Sequence, residues 1–200
     1  MVYVIDDHET MCDALASLFA SAGLSAETFC TSRAFLAYAR PSVPSCLVLD
    51  VRLRGESGLA LQQEFAASAL HIPIVFMTGH GDIAMSVEAM KGGAIDFLTK
   101  PFRDQDMLDA VTRALSTDAR RLAAERDAQS VRSSFGTLTP RERQVMQYVV
   151  QGMMNKHIAA QLAVSEITVK IHRGKMMRKM QVGSVAELVR KSRVLEDFRC

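Results

Sequence analysis

The stretch Cys46–Asp50, CLVLD, constrains the fold more than any other part of the chain, because it is an unbroken apolar run that stops at a carboxylate. Runs of this kind form strands buried on both faces of a parallel sheet, and the residue that ends them lies at the edge where open α/β sheets build their sites. Four other runs are strand-like. Residues 2–5 lead into Asp6 and Asp7, residues 74–77 into Thr78, and residues 95–99 into Lys100 and Pro101, while residues 24–29 end without obvious chemistry. Five polar side chains from four strands are therefore expected on one sheet edge.

Apolar residues recur at helical spacing between these runs, over residues 9–22, 32–39, 57–67, 82–91 and from 104 onward. Five βα units predict an α/β, doubly wound, five-stranded parallel sheet. Three carboxylates gathered at its edge repel one another, and a hard divalent cation relieves that repulsion while keeping room for phosphate oxygens. Beside such an ion Asp50 can attack a phosphoryl group and form an acyl phosphate, with Lys100 supplying charge and Thr78 a hydroxyl.

The net charge of +2 conceals a division along the chain. Residues 1–117 hold 8 Lys+Arg against 14 Asp+Glu, residues 118–134 hold 4 against 3, and residues 135–200 hold 12 against 5. An acidic front and a basic back predict two domains, 1–117 and 135–200, with the second facing a polyanion and residues 118–134 as a linker. That linker contains neither Gly nor Pro and favours helix, either as an extension of the helix from Asp104 or as a second helix. Leu115, Ala119 and Leu122 could form a narrow stripe for a dimer partner or belong to a solvated spacer. No apolar run approaches the roughly 20 residues needed to cross a bilayer, and the amino terminus lacks a secretory pattern, so a cytoplasmic protein with no membrane contact is expected. Cys12, Cys30, Cys46 and Cys200 show no metal-ligand spacing, and the first three read as reduced, small apolar residues. His8, His71 and His157 show no ligand spacing either.

In the basic part, Thr139, Pro140 and Glu142 form a helix start, and that helix should end at Gly152. A short helix over 155–162, a turn at residues 163–165 and a helix over 166–180 fit a helix-turn-helix. Its second helix carries Lys170, His172, Arg173, Lys175, Arg178 and Lys179, cations suited to phosphates. Met153, Met154, Met176, Met177 and Met180 read as flexible core filler.

Two resemblances sharpen these expectations. The IDD of residues 5–7, the LVLD of 47–50, the MTG of 77–79 and the LTKPF of 98–102 make residues 1–117 similar to the flavodoxin-like receiver domain of two-component response regulators. The resemblance implies that Asp50 is the phosphoacceptor, and that Asp6, Asp7, Asp50 and the backbone carbonyl of Arg52 hold Mg²⁺ (or Mn²⁺). It also implies that Thr78 and Lys100 contact the phosphoryl group and that Phe97 stands at the switch aromatic position, often Tyr in the family. Pro101 matches a family peptide bond that is cis. Arg54 stands where the family usually has Pro, Gly55 keeps the turn possible, and the expectation is altered loop stiffness with an intact site. His80, two residues beyond Thr78, is expected to line the site and to affect the lifetime of the acyl phosphate.

The segment LTPRERQVMQYVVQGMMNKHIAAQLAVSEITVKIHRGKMMRKM resembles the LuxR-type DNA-binding domain, and the whole chain resembles FixJ/NarL-type regulators. That resemblance points to Lys170, Ile171 and Gly174 as base-reading positions, with Thr168, His172, Arg173 and Lys175 holding the DNA backbone, and to a fourth helix over 185–195 with a dimer contact. Gly174 departs from the family, which commonly has a longer side chain there. The implied partners are a sensor histidine kinase, double-stranded promoter DNA, RNA polymerase and a second copy of the chain on phosphorylation. The expected function is phosphorylation-dependent transcription regulation, with no enzymatic activity apart from phosphoryl transfer to and hydrolysis from its own aspartate. A Mg²⁺-dependent phosphotransferase or phosphatase is the rival, but LVLDVR lacks a second acid two residues after Asp50 and no cap domain is visible. A regulator that binds DNA without phosphorylation is a third reading, against which the complete acidic site argues.

Overall fold

In the computed structural model, which describes residues 1–68, 70–79 and 83–196, the apolar runs become parallel strands. They are β1 (Val2–Ile5), β2 (Ala26–Phe29) and β3 (Cys46–Asp50), then β6 (Ile74–Thr78) and β7 (Asp96–Thr99), in the order β2-β1-β3-β6-β7. Starting from β1 the sheet grows in both directions, as a doubly wound sheet must. Between them lie α1 (Glu9–Ser21), α2 (Ser32–Ala37), α3 (Gly58–Ala67) and α4 (Ile83–Lys91). The loop after Asp50 is more ordered than the sequence suggests. It folds into a small antiparallel ladder of β4 (Arg52–Leu53) and β5 (Glu56–Ser57), with Gly55 turning at φ +84°, a conformation that costs glycine little.

Strand alternation sorts the core into two layers. Tyr3, Ile5, Leu47, Leu49 and Phe76 pack with Phe35 and Phe65 on one face, while Val2, Val4, Val48, Val75 and Met77 meet Phe19, Met107 and Val111 on the other. Each large side chain so buried contributes about 1.5–3 kcal/mol.

Helix α5 (Asp104–Gly136) is one element of 33 residues, which settles the choice between an extended helix and two helices. Leu115 packs against the second core layer and Leu122 is buried, so these two side chains are spent inside the chain and do not form an open stripe. Asp118, also buried, accepts a hydrogen bond from the Ser45 amide (2.8 Å) and pairs with Arg121. The chain divides into two compact units, Met1–Ala123 and Ala124–Cys200.

The second unit contains α6 (Pro140–Val150), α7 (Asn155–Leu162), α8 (Glu166–Lys179) and α9 (Val185–Glu196). Val145, Met146, Val149, Ile158, Val169, Met176, Met180 and Leu188 form its core. Met176 and Met180 are thus filler as expected, but Met154 is 65% exposed at the N-cap of α7. The turn between α7 and α8 places Ala163 at φ +50°, a left-handed residue without glycine's freedom.

Thr139 and Glu142 form a full capping box, and Lys179 donates to Glu142 Oε2 (2.7 Å) and to the Thr137 carbonyl (3.1 Å). Lys179 is therefore a structural tie between α6 and α8, and it does not stand with the cations that could meet phosphates. The Lys179 bond holds the Glu142 carboxyl below its ordinary value of 4.5, against the opposing effect of burial. A depressed carboxyl pKa gives stability that is present above the unfolded value and is lost as the pH falls through the folded one. Thermal unfolding followed by circular dichroism between pH 7 and pH 3 is expected to show this loss beginning near pH 4.5, and Lys179→Met is expected to flatten the profile in that window.

Candidate functional site

The strand ends deliver what their sequence promised. Asp6 follows β1 and is fully buried, Asp50 closes β3 at 5% exposure, and Thr78 closes β6 with no exposed surface. Asp50 pairs in register with Met77, so Thr78 stands one step further along the neighbouring strand. Lys100 follows β7 and is held at the edge by its amide, which donates to the Thr78 carbonyl (2.7 Å), and the Lys100–Pro101 peptide is cis.

Lys100 Nζ lies 2.7 Å from Asp6 Oδ2 and 2.7 Å from Asp50 Oδ2, bridging the two buried carboxylates. Burial alone would raise the Asp6 pKa, but bonds from Lys100 and His8 more than reverse this and hold it low. Burial would likewise lower Lys100, and the two carboxylates instead raise it. Asp50 Oδ1 accepts from the Arg52 amide (3.0 Å) while Oδ2 faces the Lys100 ammonium. The same hydrogen bond holds the Arg52 backbone at the edge.

Asp7 completes the acidic set and brings two basic neighbours. Arg54 Nε lies 3.1 Å from Asp7 Oδ2, and His8 Nδ1 lies 3.1 Å from Asp7 Oδ1 and 3.0 Å from Asp6 Oδ1. Arg54 thus does more than stiffen or loosen its turn, because its guanidinium reaches back over the acids. Ligand spacing gives His8 no role, and the signal for it in the sequence is its place directly after the two aspartates. His80 lies outside the described residues.

Asp6, Asp7, His8 and Asp50 each offer a ligand atom, all within 4.8 Å of one another. Asp7 Oδ1 is buried and makes no hydrogen bond, since the His8 ring nitrogen 3.1 Å away bonds to Asp6 Oδ1 instead, so an acceptor remains to be satisfied there. Three carboxylate oxygens, the unsatisfied one of Asp7 among them, suit a hard divalent cation. Phe97 lies apart from this cluster, half-buried against Phe76 with ring centroids 6.3 Å apart.

Gly58, at the start of α3, lies directly under Asp50. A Cβ there would come within 2.4 Å of the Asp50 carbonyl oxygen, too close for any side chain unless the backbone moves.

In the second unit, Ser165 caps α8 by accepting from the Thr168 amide (3.1 Å), and the two hydroxyls lie 2.8 Å apart. Arg173 donates to Asn155 Oδ1 (2.8 Å), tying α8 to the start of α7, and His172 is half-buried with Nδ1 enclosed. Lys170, Ile171, Gly174 and Lys175 are exposed along the helix. The candidate DNA residues therefore separate into an outward set and the inward Thr168, His172 and Arg173, a division that their positions in sequence did not reveal.

Residues 2–112 match the response regulator receiver domain, and residues 136–192 match the bacterial regulatory proteins of the luxR family. The chain is a response regulator. It is 52% identical over 195 residues to nodulation protein W of Bradyrhizobium diazoefficiens, an alignment that covers 98% of this chain and 86% of that one. It is 42% identical over 189 residues to the transcriptional regulatory protein FixJ of Azorhizobium caulinodans, covering 94% and 90%. Among solved structures it resembles the response regulator StyR, with 45% identity, a TM-score of 0.86 and 98% of both chains covered. The response regulator therefore couples a receiver domain to a LuxR-type DNA-binding domain, the organisation of two-component transcription regulation. In the chain's other respect, no helix among the described residues is long and apolar enough to cross a membrane.

Gly58→Ala is expected to destabilise the receiver unit by about 1–3 kcal/mol through the clash with the Asp50 carbonyl. Urea unfolding followed by circular dichroism measures this, and a variant as stable as the wild type would contradict the contact.

Proposed function

We propose that this response regulator is switched by a phosphoryl group carried on Asp50 and that the switch controls binding to promoter DNA. The observation that carries this reading is the placement of Lys100 between Asp6 and Asp50 at the carboxyl edge of the sheet. Such an ammonium offsets the charge of an incoming phosphoryl group, and the acids beside it suit Mg²⁺ or Mn²⁺.

In the proposed reaction, Asp50 Oδ2 attacks phosphorus, a carboxyl O–P bond forms, and the bond to the donor's leaving group breaks. The donor is a sensor histidine kinase or a small acyl phosphate, and the leaving nitrogen or oxygen departs with the bonding pair. Asp6, Asp7, Asp50 and the Arg52 carbonyl would hold the cation, which when bound would offset the negative charge on the phosphoryl oxygens. Lys100 stays on the phosphoryl group, and the Thr78 hydroxyl donates to it. Phe97 then turns inward from its half-buried position, and the surface of α4 and β7 re-forms for dimerisation. A dimer doubles the contacts to DNA and calls for two half-sites, with RNA polymerase as the eventual partner. The protein turns over no substrate other than its own acyl phosphate.

Treatment with acetyl phosphate and Mg²⁺ is expected to add a phosphoryl group to the wild type and to leave Asp50→Asn unmodified, as read by intact-protein mass. It is also expected to increase the light-scattering mass and DNA affinity of the wild type alone. Equal behaviour of the two proteins would refute the relay. Arg54 shares Asp7 with the cation, and an exposed ion pair is worth about 0.2–1 kcal/mol. Arg54→Ala is therefore expected to tighten Mn²⁺ binding by about twofold to fivefold, measured by electron paramagnetic resonance of free Mn²⁺.

A further inference from the structure

Helix α8 exposes large apolar side chains where a solvated helix would place polar ones. Ile167 is 70% exposed and Ile171 is 52% exposed, while Val169, Met176 and Met180 on the opposite side fill the core. At 3.6 residues per turn, Ile167, Ile171 and Gly174 fall within about 60° of one another around the axis. The three make a single lengthwise seam. Lys170 lies on one flank of it and Lys175 on the other, both exposed. Gly174 widens the seam, since a Cβ at that position would meet nothing within 4 Å.

Solvent gains nothing from such an arrangement, and a glycine in mid-helix costs stability relative to alanine. A major-groove floor is a suitable counterpart. Its phosphates lie on both sides, as the lysines do, and thymine is the base that presents a methyl group there. Over residues 167–174 apolar side chains in the centre and cations at the rims match that cross-section, Arg178 closes the end of the seam by donating to the Gly174 carbonyl (3.4 Å), and the absent side chain at Gly174 lets the backbone come closer to the base edges.

We propose that the seam of Ile167, Ile171 and Gly174 reads thymine 5-methyl groups in the major groove, with Lys175 on one flanking phosphate and Lys170, in place of the base-reading role its position implied, on the other. The inference rests on α8 being the groove-entering helix, and it adds the base chemistry that the helix selects. Ile167 becomes a specificity residue alongside Ile171, and Gly174 contributes by what it leaves out.

The test starts with the full-length protein, treated with acetyl phosphate and Mg²⁺, selecting duplexes from a random pool. Each thymine of the selected site is then replaced singly by deoxyuridine, which removes only the methyl group, and affinity is read by fluorescence anisotropy. One or more thymines in each half-site are expected to lose about twofold to fourfold in affinity on replacement, the worth of one buried methyl group. In Ile167→Ala or Ile171→Ala that loss is expected to vanish at the thymine each residue contacts, with the helical circular dichroism signal unchanged. Gly174→Leu, which fills the seam, is expected to weaken the selected site at least as much as either alanine variant.

Selection of duplexes that are indifferent to deoxyuridine, or a methyl effect that persists in both alanine variants, would overturn the seam and leave DNA binding standing. Failure to bind any duplex would overturn the DNA-binding reading together with it. If the alanine variants instead change the light-scattering mass of the protein without DNA, the seam is a contact between copies and the proposal falls.

Discussion

Like charges forced together at one sheet edge are the constraint from which the first unit's chemistry follows. Asp6 and Asp50 are buried acids at the ends of neighbouring strands, an arrangement that would be unfavourable without a cation. Lys100 supplies one, and its position depends on the Thr78 carbonyl that holds its amide and on the chain turning at Pro101. One ammonium bridges two of the acids, and Asp7 Oδ1 makes no hydrogen bond although the His8 ring lies beside it. The site thus combines a buried, bridged pair of carboxyl groups with an acceptor that is left open.

The basic unit solves a different problem, that of displaying positive charge without losing its fold. Some of its cations are consumed internally. Lys179 ties the capping box of α6 to α8, Lys191 donates to the Met180 and Gln181 carbonyls at the end of α8, and Arg173 ties α8 to α7. The charge count of this region therefore overstates what DNA can meet. On α8 itself a narrow strip remains outward, and its character is set as much by Ile167, Ile171 and Gly174 as by cations.

Much of the fold was legible because burial on both faces leaves an unmistakable mark. CLVLD and VYVI could hardly be anything but central strands, and the acid that follows each had to lie at the same edge. The one-sided β2, whose residues are half-buried or exposed, gave a weaker signal and began two residues later than expected. The β4–β5 ladder was hidden, since two-residue strands carry no periodicity. Side-chain reach was the main thing that could not be read. Arg54 could be recognised as unusual but its return to Asp7 needs three dimensions, and the same holds for Lys179, which is one more cation in a row until Glu142 is seen beneath it.

The bond between the Ser45 amide and buried Asp118 gives β3 a second meaning. Ser45 immediately precedes the strand and Asp50 ends it, so five residues of extended backbone join the anchor of α5 to the aspartate at the opposite rim. An extended strand clamped between neighbours yields little along its own length. The anchor of α5 and the aspartate are thus the two ends of one buried strand, with no loop between them.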